Sequence, residues 1–262
     1  MVITRAVPQS AELVEKLLKT GAIAISLPLV CFAPPEDLAP LDKALARLDR
    51  FDWVLFTSAN AVQAVESRSA TLKQDRKQVG NPRRIAAVGP ATRHAAENAG
   101  FPVDYVARTH LGVALANELS DRLRDQEVFL PRSNRANPDL PATLRNRGAK
   151  VTEVIAYRTL PPTNLDHKRL NRMVHGEADA VLFFSPTAVQ NFGDLVGRDQ
   201  LVALQDRTAI AAVGPVTAAA LRDAGVQQIL VASDATADAV VHVLETHFSG
   251  TLRQFPAGAK HE

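Results

Sequence analysis

Short, nearly continuous apolar runs alternate along the chain with longer segments whose apolar residues recur at helical spacing. The runs are VIT (2–4), AIAISL (22–27), WVLFT (53–57), RIAAVG (84–89), VDYVA (103–107), VFLP (128–131), VTEVIAY (151–157), AVLFF (180–184), AIAAVG (209–214) and QILVA (228–232). Runs of this length, rich in Val and Ile, predict strands of a parallel sheet buried on both faces, and the intervening segments predict the helices that cover it. Gly21, Gly100, Gly148 and Gly225 each follow a helical segment and precede a strand, where a residue with positive φ ends a helix at least cost.

The pattern repeats. AAVGPATRHAAENAG (86–100) returns as AAVGPVTAAALRDAG (211–225), and an offset of 127 residues brings Arg5 onto Arg132, Gly21 onto Gly148 and Ser58 onto Ser185. A further slip of two residues brings Gly89 and Thr92 onto Gly214 and Thr217. Two copies of one α/β unit are expected. LPLVCFAPPEDLAP (27–40) and YRTLPPTN (157–164) punctuate the copies, and their Pro pairs suit extended connectors. After Phe248 the periodicity stops, which predicts a frayed tail.

Composition narrows the class. At 262 residues, with 46% hydrophobic, 22% charged and 5% aromatic residues, the chain reads as folded and soluble, with room for two small domains. Its 30 basic and 28 acidic residues leave a net charge of +2, too even for a protein that coats nucleic acid, so an anionic partner must be met locally. The single Cys31 excludes an internal disulfide framework. The first twenty residues lack the pattern of a secretory signal, and no apolar stretch approaches the roughly 18 residues needed to span a bilayer, so a cytoplasmic location without membrane contact is expected.

Several residues could carry chemistry. In AVGPAT and AVGPVT a strand ends in Gly, Pro starts the helix, and Thr92 or Thr217 follows within the first turn, where free N–H groups favour an anion. The structural alternative is a tight turn whose Thr satisfies the local backbone. Ser58 in FTSANAV and Ser185 in FFSPTAV follow strands and read as N-caps, at the same sheet edge as the AVGP turns. Arg5 and Arg132 end matched strands and could each form a bidentate contact to a carboxylate, although a solvated role is the default for a single Arg; Arg135 and Arg158 lie nearby in sequence. Tyr157, one of two tyrosines, is either a boundary aromatic or a candidate general acid. No GxxxxGK[ST], GxGxxG or HExxH occurs, and the His residues at 94, 110, 167, 175, 242, 247 and 261 show no metal-ligand spacing.

FTSANAV, AAVGPAT, GAKVTEVIAYRT, FFSPTAV and AAVGPVTAAALRDAG, in this order and at these separations, resemble the uroporphyrinogen-III synthase family over nearly the whole chain. The resemblance implies two similar α/β domains, each a parallel sheet flanked by helices, joined by a two-stranded connector with a cleft between them. It places the domains at 1–33 with 160–262 and at 34–159, where duplication alone would suggest a tandem split. It implies a lyase of tetrapyrrole and heme biosynthesis that needs no cofactor or metal. The substrate would be hydroxymethylbilane, cyclised to uroporphyrinogen III with loss of water and inversion of ring D. The expected working form is a monomer, in transient contact with the preceding pathway enzyme.

By motif, the resemblance carries assistance of hydroxyl loss onto Tyr157, and carboxylate contacts onto Ser58, Thr92, Ser185 and Thr217. Arg5 matches the family's N-terminal strand end, and Arg132 is the second expected substrate contact. After VFLP the chain reads ArgSer (132–133) where many relatives read ArgGly, so loop 132–137 is expected to differ. A non-catalytic two-domain module that binds an anionic ligand is the competing reading.

Overall fold

Each of the ten apolar runs becomes a strand in a computed structural model of the chain, which describes residues 1–5, 10–74, 82–109, 111–234 and 236–252. The backbone divides into two compact units, Met1–Cys31 with Leu160–Glu262, and Phe32–Thr159. The chain starts the first unit with β1 (Val2–Ile3), α1 (Ala11–Lys19) and β2 (Ile25–Ser26), and β3 (Cys31–Ala33) leads into the second. There follow α2 (Ala39–Leu45), a 3-10 turn at Leu48–Arg50, β4 (Trp53–Phe56), α3 (Ala59–Gln74), β5 (Ile85–Ala87), α4 (Pro90–Asn98) and β6 (Tyr105–Val106). The unit continues with α5 (Gly112–Glu118), α6 (Ser120–Leu123), β7 (Glu127–Ser133), α7 (Asp139–Asn146) and β8 (Lys150–Leu160). The first unit is then completed by α8 (His167–Val174), β9 (Ala180–Phe183), α9 (Pro186–Val196), α10 (Arg198–Leu204), β10 (Ala209–Val213), α11 (Pro215–Asp223), β11 (Ile229–Ala232) and α12 (Ala237–Leu252).

Among the described residues the first unit holds a five-stranded sheet, β11-β10-β9-β1-β2, and the second a six-stranded sheet, β3-β8-β7-β4-β5-β6. Neighbours in the first sheet are parallel, as are β8, β7, β4, β5 and β6 in the second. Strand for strand, β2-β1-β9-β10-β11 corresponds to β8-β7-β4-β5-β6, so the sequence repeat is a repeat of topology. β3, which falls in the first Pro-rich connector, is the extra strand and lies beside β8.

Period-two geometry makes every central strand feed two cores. In β4, Val54 and Phe56 pack with Ala61, Val62 and Val65 of α3, while Trp53 and Leu55 join Leu115, Leu140 and Leu144 on the other face. In β9, Val181 and Phe183 pack with Leu201 and Leu221, and Ala180 and Leu182 with Leu13, Leu17 and Leu244. Fully burying one Leu or Phe stabilises by about 1.5–3 kcal/mol. The runs are apolar without alternation because both faces are covered. At the end of the chain α12 extends through residues 249–252, where fraying was expected, because lengthening a helix costs far less than nucleating one. Residues 253–262 of the expected tail, with His261, and also His110, lie outside the described residues.

β7 and β8 pair without interruption from Glu127 opposite Lys150 to Arg132 opposite Ile155, and then Ser133 stands opposite Tyr157. Strict alternation would send Tyr157 to the face opposite Val154 and Ala156. The extra residue in β8 instead puts Tyr157 on their side, against the core beneath α3. The loop after β7 holds this arrangement. Asn134 N donates to the Tyr157 carbonyl (3.2 Å), Thr159 N donates to Asn134 Oδ1 (2.8 Å), and Ser133 Oγ lies 2.7 Å from Thr159 Oγ1. Serine at 133 thus supplies a link that glycine could not.

Arg132 departs from the expected carboxylate contact. It is only 4% exposed; Nη1 donates to Glu153 Oε1 at 2.8 Å and Nη2 donates to the Asn137 carbonyl. A cation this deep requires an anion beside it, and Glu153 on the neighbouring strand supplies one. Arg132 therefore closes the loop it begins.

Gly21, Gly100, Gly148 and Gly225 all have positive φ, as expected of helix ends. The repeated AVGP turns, in contrast, are not conformational copies. Gly214 sits at φ 91°, ψ 163°, a region open essentially only to glycine, whereas Gly89 at φ −175°, ψ 175° is ordinary extended backbone. Gly214→Ala should therefore lower stability in urea by about 1–3 kcal/mol, and Gly89→Ala should escape that backbone cost; equal losses would contradict the assigned conformations. Arg132→Met should lower stability by about 1–3 kcal/mol through loss of its hydrogen bonds to Glu153 and the Asn137 carbonyl, and an unchanged urea midpoint would argue against the closing role.

Candidate active site

Parallel strands put their carboxyl ends, and the starts of the helices that follow, along one rim of a sheet. In the second unit the neighbours β8, β7, β4 and β5 bring Tyr157, Ser133, Ser58 and the Gly89–Thr92 turn to that rim. Ser58 caps α3: Ala61 N donates to its Oγ at 3.1 Å. The same Oγ lies 3.1 Å from Tyr157 Oη. Because β7 separates β4 from β8, their backbones stand about 10 Å apart at ordinary strand spacing, a gap bridged by the length of the tyrosine side chain. Phe32 meets the phenol ring edge-on, with centroids 5.7 Å apart and planes at 72°. A pocket of about 470 Å³ opens beside them, lined by Phe32, Pro34, Leu38, Ala64, Ala156 and Tyr157 together with polar groups of α3.

The AVGP turns carry the second feature. Gly89 and Gly214 are the N-caps of α4 and α11, and as glycines they supply no capping side chain; Pro90 and Pro215 follow at the first helical positions. The next amides of each helix have no acceptor within their own helix. Thr92 and Thr217 stand in this first turn and are only 6% and 3% exposed. Among the described residues neither hydroxyl makes a hydrogen bond, so the reading in which Thr satisfies the local backbone finds no support. Nor is either one of the hydroxyls sealed from solvent without a partner, which are those of Ser69 and Thr208. Each turn thus combines uncapped amides, the positive end of a helix dipole and a hydroxyl free to donate, a set suited to a carboxylate.

In the first unit the neighbours β1, β9 and β10 bring Arg5, Ser185 and the Gly214–Thr217 turn to one rim. Ser185 caps α9, its Oγ accepting from Ala188 N at 3.2 Å. Arg5 lies 5.7 Å from the centroid of the Phe184 ring, and burial pulls its pKa below the ordinary guanidinium value. Arg158 faces a different task, donating to the Pro34 carbonyl and pairing with Glu36.

The two units therefore collect the candidates in separate groups: Ser58, Thr92 and Tyr157 in one, Arg5, Ser185 and Thr217 in the other. Arg132, at the end of β7, is engaged by Glu153 and the Asn137 carbonyl. Phe32 and the stitching pair Asn134 and Thr159 are additions that sequence reasoning missed, because an aromatic in a Pro-rich connector and a polar loop residue carry no periodic signal. Among the described residues no three His, Cys, Asp or Glu side chains converge to hold a metal ion, and no helix is long and apolar enough to cross a membrane.

The chain resembles known proteins in both sequence and fold. The sequence pattern of the family described as uroporphyrinogen-III synthase HemD matches residues 11–242. The uroporphyrinogen-III synthase of Synechococcus elongatus is 31% identical over 218 residues, covering 82% of each chain. The chloroplastic enzyme of that name from Oryza sativa is 27% identical, covering 94% of this chain and 81% of its own. In fold, a uroporphyrinogen III synthase from Thermus thermophilus superposes with a TM-score of 0.64 at 20% identity, covering 97% of this chain and 99% of that one. The Helicobacter pylori protein scores 0.56 at 18% identity, with 87% and 93% covered. The chain belongs to the uroporphyrinogen-III synthase family.

Proposed function

We propose that the chain converts hydroxymethylbilane into uroporphyrinogen III, with Tyr157 assisting loss of the hydroxymethyl oxygen and the uncapped helix starts holding the substrate's carboxylates. The observation that carries the reading is the pair of AVGP turns, each with uncapped amides and a largely enclosed Thr whose hydroxyl makes no hydrogen bond among the described residues. A bilane bears eight acetate and propionate groups. Backbone amides at helix starts can bind such groups without a basic surface, which fits a net charge of only +2.

In this reading the hydroxymethyl oxygen leaves as water after taking the phenol proton, and the pyrrole nitrogen supplies the electrons. The substituted carbon of ring D then attacks to give a spiro intermediate, which fragments and recloses with ring D inverted. The unassisted bilane closes to the uninverted type I isomer, so the protein must favour one closure over the other. A hundredfold preference needs about 2.7 kcal/mol. One or two hydrogen bonds to charged groups, at about 1.5–3 kcal/mol each, reach that figure. Holding the substrate's shape is accordingly the principal catalytic act, and the phenol is its chemical complement.

Freshly prepared hydroxymethylbilane incubated with the chain should yield the type III isomer, and exclusive type I product would defeat the reading. Tyr157→Phe should lower kcat about 100-fold or more, on the scale of general acid catalysis, with little change in KM. Thr92→Val and Thr217→Val, which keep the shape and remove the hydroxyl, should each raise KM about 3- to 10-fold; unaltered KM in both would remove the AVGP turns from substrate binding.

A further inference from the structure

The two N-cap serines occupy equivalent places in the repeat, yet only one of them has a phenol beside it. Ser185 accepts from Ala188 N and makes no other side-chain hydrogen bond among the described residues. Ser58 accepts from Ala61 N and also lies 3.1 Å from Tyr157 Oη. The position matching Tyr157 in the first unit, 127 residues earlier, is Val30, a buried core residue. The second unit has therefore turned a helix cap into part of a polar pair.

We propose that Ser58 is a positioning residue for Tyr157: its hydroxyl donates to the phenol oxygen, which leaves the phenol's own proton free for the substrate. The inference rests on the role given to Tyr157 above. A serine hydroxyl has one proton and two lone pairs, and the Ala61 N–H already occupies a lone pair. Donation onward to Tyr157 makes a head-to-tail chain, Ala61 N–H to Ser58 O–H to Tyr157 Oη, in which each bond polarises the next. The opposite arrangement would load Ser58 Oγ with two donors and engage the phenol proton away from any ligand. The chain begins at the positive end of α3, a helix of 16 residues, so its field favours negative charge arriving at Oη.

The proton balance follows. As the carbon–oxygen bond of the hydroxymethyl group breaks, its electron pair leaves with the oxygen, and the phenol O–H bond breaks to complete a water molecule. The pyrrole nitrogen's lone pair stabilises the carbon left behind. The phenolate retains the hydrogen bond from Ser58, and it recovers a proton when reclosure after fragmentation releases the hydrogen of ring D's unsubstituted α-carbon. Phe32, edge-on to the ring, and the Asn134 N–H on the Tyr157 carbonyl hold the rest of the residue, so Ser58 has only the oxygen to place.

Three substitutions separate this role from helix capping. Ser58→Asp keeps a capping acceptor but has no hydroxyl to donate, so thermal stability should stay close to that of the parent chain while kcat for type III product at saturating substrate falls about 10- to 100-fold. Ser58→Ala should lose both stability and kcat, and Ser58→Thr should recover most of each. In a Tyr157→Phe background Ser58→Ala should cost less than about twofold further in kcat, because the two residues act as a unit. Parent-level kcat in Ser58→Asp, with Tyr157→Phe impaired, would overturn the Ser58 role alone, as would a full additional loss from Ser58→Ala in the Phe background. Full activity of Tyr157→Phe would overturn the reading of Tyr157 and this inference with it.

Discussion

One slip in strand register decides which face of the second unit's sheet Tyr157 occupies. Between Arg132 and Ser133 the β7–β8 ladder passes over a residue of β8, and everything beyond that point in β8 changes face. Without it, Tyr157 would project to the side of Val151, away from α3 and from Ser58. The slip is held by groups that look unremarkable singly: Ser133 on Thr159, Asn134 on the backbone of Tyr157 and Thr159, and Arg132 buried against Glu153 and the Asn137 carbonyl. These contacts make loop 133–137 a structural clamp on the strand that carries the phenol.

The duplicated scaffold has been decorated unequally. The five common strands share an order, and matched serines cap matched helices. Arg5 remains half-buried near Phe184, whereas its counterpart Arg132 is enclosed in an ion pair. Gly214 needs a backbone conformation reserved for glycine, whereas Gly89 does not. What the repeats retain in common is the uncapped helix start with its enclosed Thr, and retention of that feature in both units is what a substrate with many carboxylates would use. The phenol belongs to one unit alone.

Much of the fold was legible because continuous burial leaves a local trace. WVLF and AVLF are apolar at every position because helices cover both faces of their sheets, and a Gly between helix and strand announces a positive φ. The serine caps were readable for the same reason, since the capping bond spans only three residues. β3 escaped notice because CFA sits among prolines and gains its strand partner only from β8, more than a hundred residues later. The pairing of Arg132 with Glu153 was not legible, because an arginine at a strand end looks the same in sequence whatever anion it meets.

The amino-acid sequence by itself determined the α/β class, the repeat, the serine caps and the Gly-Pro helix starts, because each depends on neighbours a few residues apart or on identity between copies. Tertiary structure alone decided that Tyr157 meets Ser58, that Arg132 is enclosed, and that Thr92 and Thr217 are buried with no hydrogen bond among the described residues. Those outcomes depend on strand register and on side chains from distant segments, and a change of one residue in register reverses the face on which a side chain lies.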